Sequence, residues 1–132
     1  MVLDTSALIA ILADEPEAPA MEAAIALDPV RLLSAASLVE ASIVIEARYG
    51  GAGGRELDLL ISKARVELVA VDSEQAELAR DAHRRYGRGK HPAGLNYGDC
   101  FSYALAAFRD EPLLFKGGDF SKTDIRAAGH DA

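Results

Sequence analysis

Apolar residues recur along the chain in two rhythms. Four short, mostly apolar runs, Met1–Leu3, Val30–Leu33, Glu67–Val71 and Leu113–Phe115, lack the alternation of a half-solvated strand. They predict strands buried on both faces, as in a parallel sheet. Between them the spacing is helical. Ser6–Ala13 and Pro16–Leu27 follow the first run, Ser37–Tyr49 and Gly54–Ala64 the second, Ser73–Tyr86 the third, and Tyr97–Arg109 precedes the last. Strands alternating with helices of about 10–15 residues predict βαβ units with right-handed crossovers, an α/β fold. Glycine clusters at Tyr49–Gly54 and Tyr86–Gly89 predict loops within one domain rather than linkers between two. No internal repeat interrupts the 132 residues, which form a single domain, residues 1–132, in this reading.

Composition narrows the function classes. Half of the residues are hydrophobic, enough for a real core, and 14 basic against 21 acidic side chains leave a net charge of −7. The lone cysteine, Cys100, makes no internal disulfide and no paired-cysteine metal site, which fits a reducing cytoplasm. It lies in an apolar helical pattern with Phe101, Ala104 and Leu105 and reads as core. No apolar run approaches the ~18 residues of a membrane span. The first residues lack a basic region and meet Asp14 and Glu15, so no signal peptide is expected. A serine hydrolase lacks its Gly-x-Ser-x-Gly turn, and His83, His91 and His130 show no triad spacing.

In open α/β sheets ligands bind beyond the carboxyl ends of the strands. Four acids fall there. Asp4 ends the first strand, Glu40 stands in the first turn of the helix after the second, Asp99 opens the helix Tyr97–Arg109, and Asp119 follows the last strand. Each has an ordinary structural reading. Asp4 reads as a helix cap, Ser37 with Glu40 and Asn96 with Asp99 as capping boxes, and Asp119 as a turn residue. Four at one edge repel one another, and a cation relieves that repulsion. Oxygen donors without cysteine or histidine point to Mg²⁺ or Mn²⁺, and such a centre suits phosphoryl chemistry.

Charge along the chain is uneven. Arg80–His91 holds five cations against one acid, a local charge of +4, so the remainder carries −11. Arg84, Arg85, Arg88 and Lys90 on a glycine-containing segment leading to Asp99 would hold a phosphate backbone, and Tyr86 and Tyr97 would stack on unpaired bases. The competing reading is a solvated helix end whose arginines satisfy the helix dipole.

The stretches VLDTSALIAIL, SLVEASIVIEAR, YGRGKHPAGLNYGDCFSYALA and LLFKGGDFSKTDI resemble, in order, the motifs of PIN-domain ribonucleases, in particular VapC-type toxins of type II toxin–antitoxin pairs. The resemblance spans almost the whole chain, and its third stretch is the most specific. It implies a three-layer α/β/α fold with a central parallel sheet of four to five strands. It also implies an Mg²⁺-dependent endoribonuclease, Mn²⁺ substituting, whose products carry a 3′-hydroxyl and a 5′-phosphate. Carried over by position, Asp4 and Asp99 would hold metal, with Glu40 and Asp119 acting directly or through water. Ser6 and Asn96 match supporting polar positions. Gly118 departs from the family where Asp or Asn often precedes Asp-Phe, which weakens the fourth ligand. The resemblance further implies a VapB-like antitoxin, an RNA substrate such as tRNA or rRNA, and assembly as a homodimer and a toxin–antitoxin hetero-oligomer. The Ala-, Ile- and Leu-rich Pro16–Leu27 and Ser37–Tyr49 segments would pack such a partner, or simply the core.

Two other readings stand beside it. A PIN-like RNA-binding module without catalysis keeps the fold and the basic segment. A phosphoacceptor receiver domain would use Asp72 and Lys116, but it needs an acidic pair after its first strand, where only Asp4 stands before Thr5. Asp72 is more simply a cap beside Ser73.

Overall fold

The computed structural model describes residues 1–129; His130 lies outside them. Four strands, β1 (Val2–Leu3), β2 (Leu32–Ser34), β3 (Glu67–Val69) and β4 (Leu113–Leu114), form a parallel sheet in the order β3-β2-β1-β4. Val2 pairs with Leu32 and Leu113, and Leu33 with Leu68. A further parallel bridge from Leu113 to Ala127 extends the sheet beyond β4 by one rudimentary strand. Five helices cover it: α1 (Thr5–Leu12), α2 (Ala18–Leu27), α3 (Ala35–Lys63), α4 (Ser73–Tyr86) and α5 (Tyr97–Arg109). This is the α/β/α architecture expected of the sequence.

Alternation along the strands makes the layers. Successive strand residues point to opposite faces. Leu3, Leu33 and Leu114 therefore join Leu8, Ala41, Ile45 and Leu57 in a core under α1–α3. Val2, Leu32 and Leu113 join Ala82, Tyr103 and Leu105 in a second core under α4 and α5. Each leucine fully buried this way contributes about 1.5–3 kcal/mol. Among the described residues no helix is long and apolar enough to cross a membrane.

Three expectations need correction. β3 is not buried on both faces: it is the sheet edge, with no strand beyond it among the described residues, and Leu68 is 47% exposed. The glycines at 50–54 do not form a loop. The chain kinks at Gly50 (φ 65°, ψ −156°) and the helix resumes at once, so the two predicted helices are the two arms of α3. Ser37 caps nothing. The helix starts earlier, at Ala35, where Ser34 Oγ accepts from the Ala36 N–H, and Ser37 is buried inside the first turn. The Asn96–Asp99 capping box and the Asp72 cap on α4 are present as read.

Gly50 lies in a backbone region open essentially to glycine alone, and a side chain there costs about 1–3 kcal/mol. Gly51 is helical, with space for a Cβ. Gly50→Ala is therefore expected to destabilise by about 1–3 kcal/mol in urea unfolding. Gly51→Ala should instead be neutral or stabilising by up to about 1 kcal/mol. Equal effects would remove the kink as the reason for Gly50.

Candidate active site

Parallel strands end at one edge, and the helices that follow begin there. Asp4 leaves β1 and caps α1, accepting from the Ser6 N–H at 3.0 Å. Its Oδ2 also accepts from Ser6 Oγ at 2.6 Å, and its Oδ1 from Ser102 Oγ at 2.6 Å. Asp4 is 3% exposed and Ser102 fully buried. Ser37 Oγ lies 3.2 Å from Ser102 Oγ. The Ser102 proton is given to Asp4, so Ser37 is the donor to Ser102. A chain of hydroxyls thus runs from α3 through α5 to the carboxylate.

Glu40 comes from the first turns of α3. Thr5 Oγ1 donates to its Oε1 at 2.7 Å, and its carboxylate lies directly against Gly98. Asp99 stands one residue further, in the capping box of α5. Its Oδ2 accepts from the Asn96 N–H at 3.0 Å, while its own N–H donates to Asn96 Oδ1 at 2.9 Å. Asp119 is exposed at the start of a 3-10 turn (Phe120–Lys122), without a side-chain cap bond. Ser6 links that loop to the site, because its Oγ accepts from the Lys116 N–H at 2.9 Å. The Lys116 ammonium turns to Glu15, at 2.8 Å, and Glu17.

The four acids share one electrostatic field. Burial is the largest influence on Asp99 and pushes its carboxyl up to about 6. The Asn96 N–H opposes the shift, and the charges of Asp4, Glu40 and Asp119 add to it. No three His, Cys, Asp or Glu side chains among the described residues are already gathered at ligating distance of one point. Oxygen donors whose charges raise the proton affinity of Asp99 are of the chemical type that a hard divalent cation prefers. Cys100 is core as read. It donates to the Asn96 carbonyl at 3.2 Å, and burial pushes its thiol up to about 11.

The basic segment divides in two. Arg84, Arg88 and Lys90 are exposed and form no ion pair among the described residues. Arg85 is committed internally. It pairs with Asp81 and Asp124, donates to the Tyr86 hydroxyl at 2.9 Å, and lies 4.8 Å over the Tyr86 ring. Tyr86 is also packed edge-on against His91, whereas Tyr97 is 81% exposed. Sequence reasoning passed over Thr5, Ser102 and Gly98. Ser102, a lone hydroxyl one turn after Asp99 on an apolar face, was the available signal.

Comparison with known proteins gives a consistent result. Residues 1–126 match the PIN domain family. A protein named Ribonuclease VapC from Mycolicibacterium smegmatis is 63% identical over 127 residues, covering 96% of this chain and 98% of its own. Ribonuclease VapC30 of Mycobacterium tuberculosis is 61% identical over 125 residues, covering 95% of each. Among solved structures, VapC20 of Mycobacterium tuberculosis, described as a Sarcin-Ricin loop cleaving toxin, superposes with a TM-score of 0.77. It does so at 19% identity, over 94% of this chain and 95% of its own. A toxin–antitoxin complex from Klebsiella pneumoniae gives 0.70 at 17% identity, over 99% of this chain and 98% of that one.

The raised Asp99 carboxyl sets a sign for stability. Folded Asp99 keeps its proton to higher pH than the unfolded chain does. Its contribution therefore falls as pH rises from about 4 through about 6. In EDTA, the unfolding midpoint is expected to drop over that range, and to drop less in Asp99→Asn. Identical pH slopes for the two proteins would remove Asp99 as the source.

Proposed function

This chain belongs to the PIN-domain family, beside VapC-type ribonucleases, and we propose that it is a metal-dependent endoribonuclease toxin restrained by a VapB-like antitoxin. The observation that carries the reading is the meeting of acids from four separate stretches at one sheet edge, two of them fastened by hydroxyls from other elements. Thr5 of α1 holds Glu40 of α3, and Ser102 of α5 holds Asp4. Such convergence has no purpose in packing, since it places like charges together.

Asp4 and Asp99 are the residues that would hold Mg²⁺ or Mn²⁺, with Glu40 and Asp119 contributing directly or through water. The bound cation would neutralise the acids, lower the pKa of an attacking water and stabilise charge on the leaving oxygen. Around it the chain's own groups do the positioning. Ser6 and Ser102 fix both oxygens of Asp4. Asn96 fixes Asp99 at the positive end of α5. In the overall hydrolysis water adds to phosphorus and the P–O3′ bond breaks, leaving a 5′-phosphate and a 3′-hydroxyl. The RNA 2′-hydroxyl is not needed as nucleophile.

Arg84, Arg88 and Lys90, which form no ion pair among the described residues, present cations to a phosphate backbone. Arg85 instead ties the basic segment to Asp124, and the exposed Tyr97 ring offers a stacking surface. A protein partner is supported by apolar side chains bordering the acids: Val39 and Ile43 are exposed, and they line a groove with Glu40 and Tyr97. Homodimerisation, hetero-oligomers with antitoxin and a cytoplasmic location complete the reading.

Purified chain is expected to cut total cellular RNA into discrete fragments with Mg²⁺ or Mn²⁺. EDTA and Asp4→Ala/Asp99→Ala should each abolish cleavage. RNA binding without cleavage by folded, antitoxin-free protein would favour the inert module instead. Replacing Arg84, Arg88 and Lys90 with Ala should weaken RNA binding and reduce its log–log salt slope by about 2. An unchanged salt slope would move RNA to another surface.

A further inference from the structure

We propose that Gly98 is a positioning residue whose missing side chain is the seat of the Glu40 carboxylate, with the Thr5 hydroxyl tethering the carboxylate there; this rests on the nuclease reading above. Gly98 occupies the first turn of α5, between Tyr97 and Asp99. Glycine is a poor helix former, by about 1 kcal/mol against alanine. Its backbone here is not in the left-handed region that would demand glycine. Conformation therefore does not explain it, and space does. A Cβ at this position would overlap Glu40 Oε2 and come within 2.5 Å of Cδ and 2.6 Å of Oε1. Thr5 Oγ1 donates to Oε1 at 2.7 Å. The hydroxyl and the bare helix turn together hold the Glu40 carboxylate against Gly98, the residue before Asp99, at the positive end of α5.

The atoms in the way belong to the end of a flexible side chain and not to backbone. An added methyl is accommodated by swinging Glu40 aside, so the fold survives and the acid is misplaced. This separates Gly98 from a glycine required by the fold, such as Gly50.

The test is Mn²⁺ binding by calorimetry on the purified full chain, alongside RNA cleavage and thermal unfolding. Gly98→Ala is expected to keep its unfolding midpoint while Mn²⁺ affinity and cleavage each fall about 10- to 100-fold, the range for groups that orient a ligand. In a Glu40→Ala background, where no carboxylate remains to displace, adding Gly98→Ala should change Mn²⁺ affinity no further. Thr5→Val should weaken Mn²⁺ binding and Thr5→Ser should retain it; this pair carries the test if Gly98→Ala fails to fold. Wild-type Mn²⁺ affinity in Gly98→Ala, or an equal loss with and without Glu40, overturns the proposal and leaves the nuclease reading intact. A wild-type chain that neither binds Mn²⁺ nor cuts RNA removes the nuclease reading, and the proposal with it.

Discussion

Four carboxylates that repel one another sit at the carboxyl edge of a parallel sheet, and much of the surrounding structure answers that repulsion. Asp4 is almost fully withdrawn from water, where an unpartnered carboxylate would be untenable. It receives three hydrogen bonds, two from Ser6 and one from Ser102. Glu40 receives one from Thr5, and Asp99 one from the backbone at Asn96. Helix N-termini add partial positive charge where Asp4 caps α1 and Asp99 opens α5. The donors restrain the acids without neutralising them, and burial with the neighbouring charges still leaves Asp99 with a raised affinity for its proton. Asp4, Glu40 and Asp99 are thus held by donors while their like charges stay side by side.

Two layers of packing keep this edge in register. The core under α1–α3 sets Thr5 against Glu40, because Ala7 and Leu8 on α1 and Ala41 and Ile45 on α3 share it. The core under α4 and α5 sets Ser102 beneath Asp4, because Val2 from β1 packs with Tyr103 and Leu105. One residue either side of the strand–helix junction therefore decides both contacts. Ser6 carries the same order to the β4 loop through the Lys116 N–H.

Charge is partitioned as clearly as packing. The acids face the site, and the cations without an ion pair among the described residues lie at the end of α4 (Arg84) and on the loop after it (Arg88, Lys90). Arg85 stands between the two uses. Its pairing with Asp124, which also accepts from the Tyr103 hydroxyl at 2.5 Å, fastens α4 and α5 to the segment that follows Asp119. Those bonds hold the Asp124 carboxyl below its usual range. An arginine counted in sequence as one more phosphate contact also braces, in the fold, the basic segment against Asp124.

By itself the sequence determined the order of strands and helices, the parallel class, the edge where acids gather, and the Asn96–Asp99 and Asp72 caps. These follow from hydrophobic spacing and from bonds between residues three or four apart, which near neighbours settle. Tertiary structure alone decided that β3 is an exposed edge, that Gly50 bends one helix where a loop was expected, and that Ser34 caps α3 in place of Ser37. It also decided that Ser102 reaches Asp4 across 98 residues and that Glu40 rests on Gly98. Such contacts depend on strand order and register, which place distant residues side by side, and no local pattern encodes which hydroxyl or which gap will face which carboxylate.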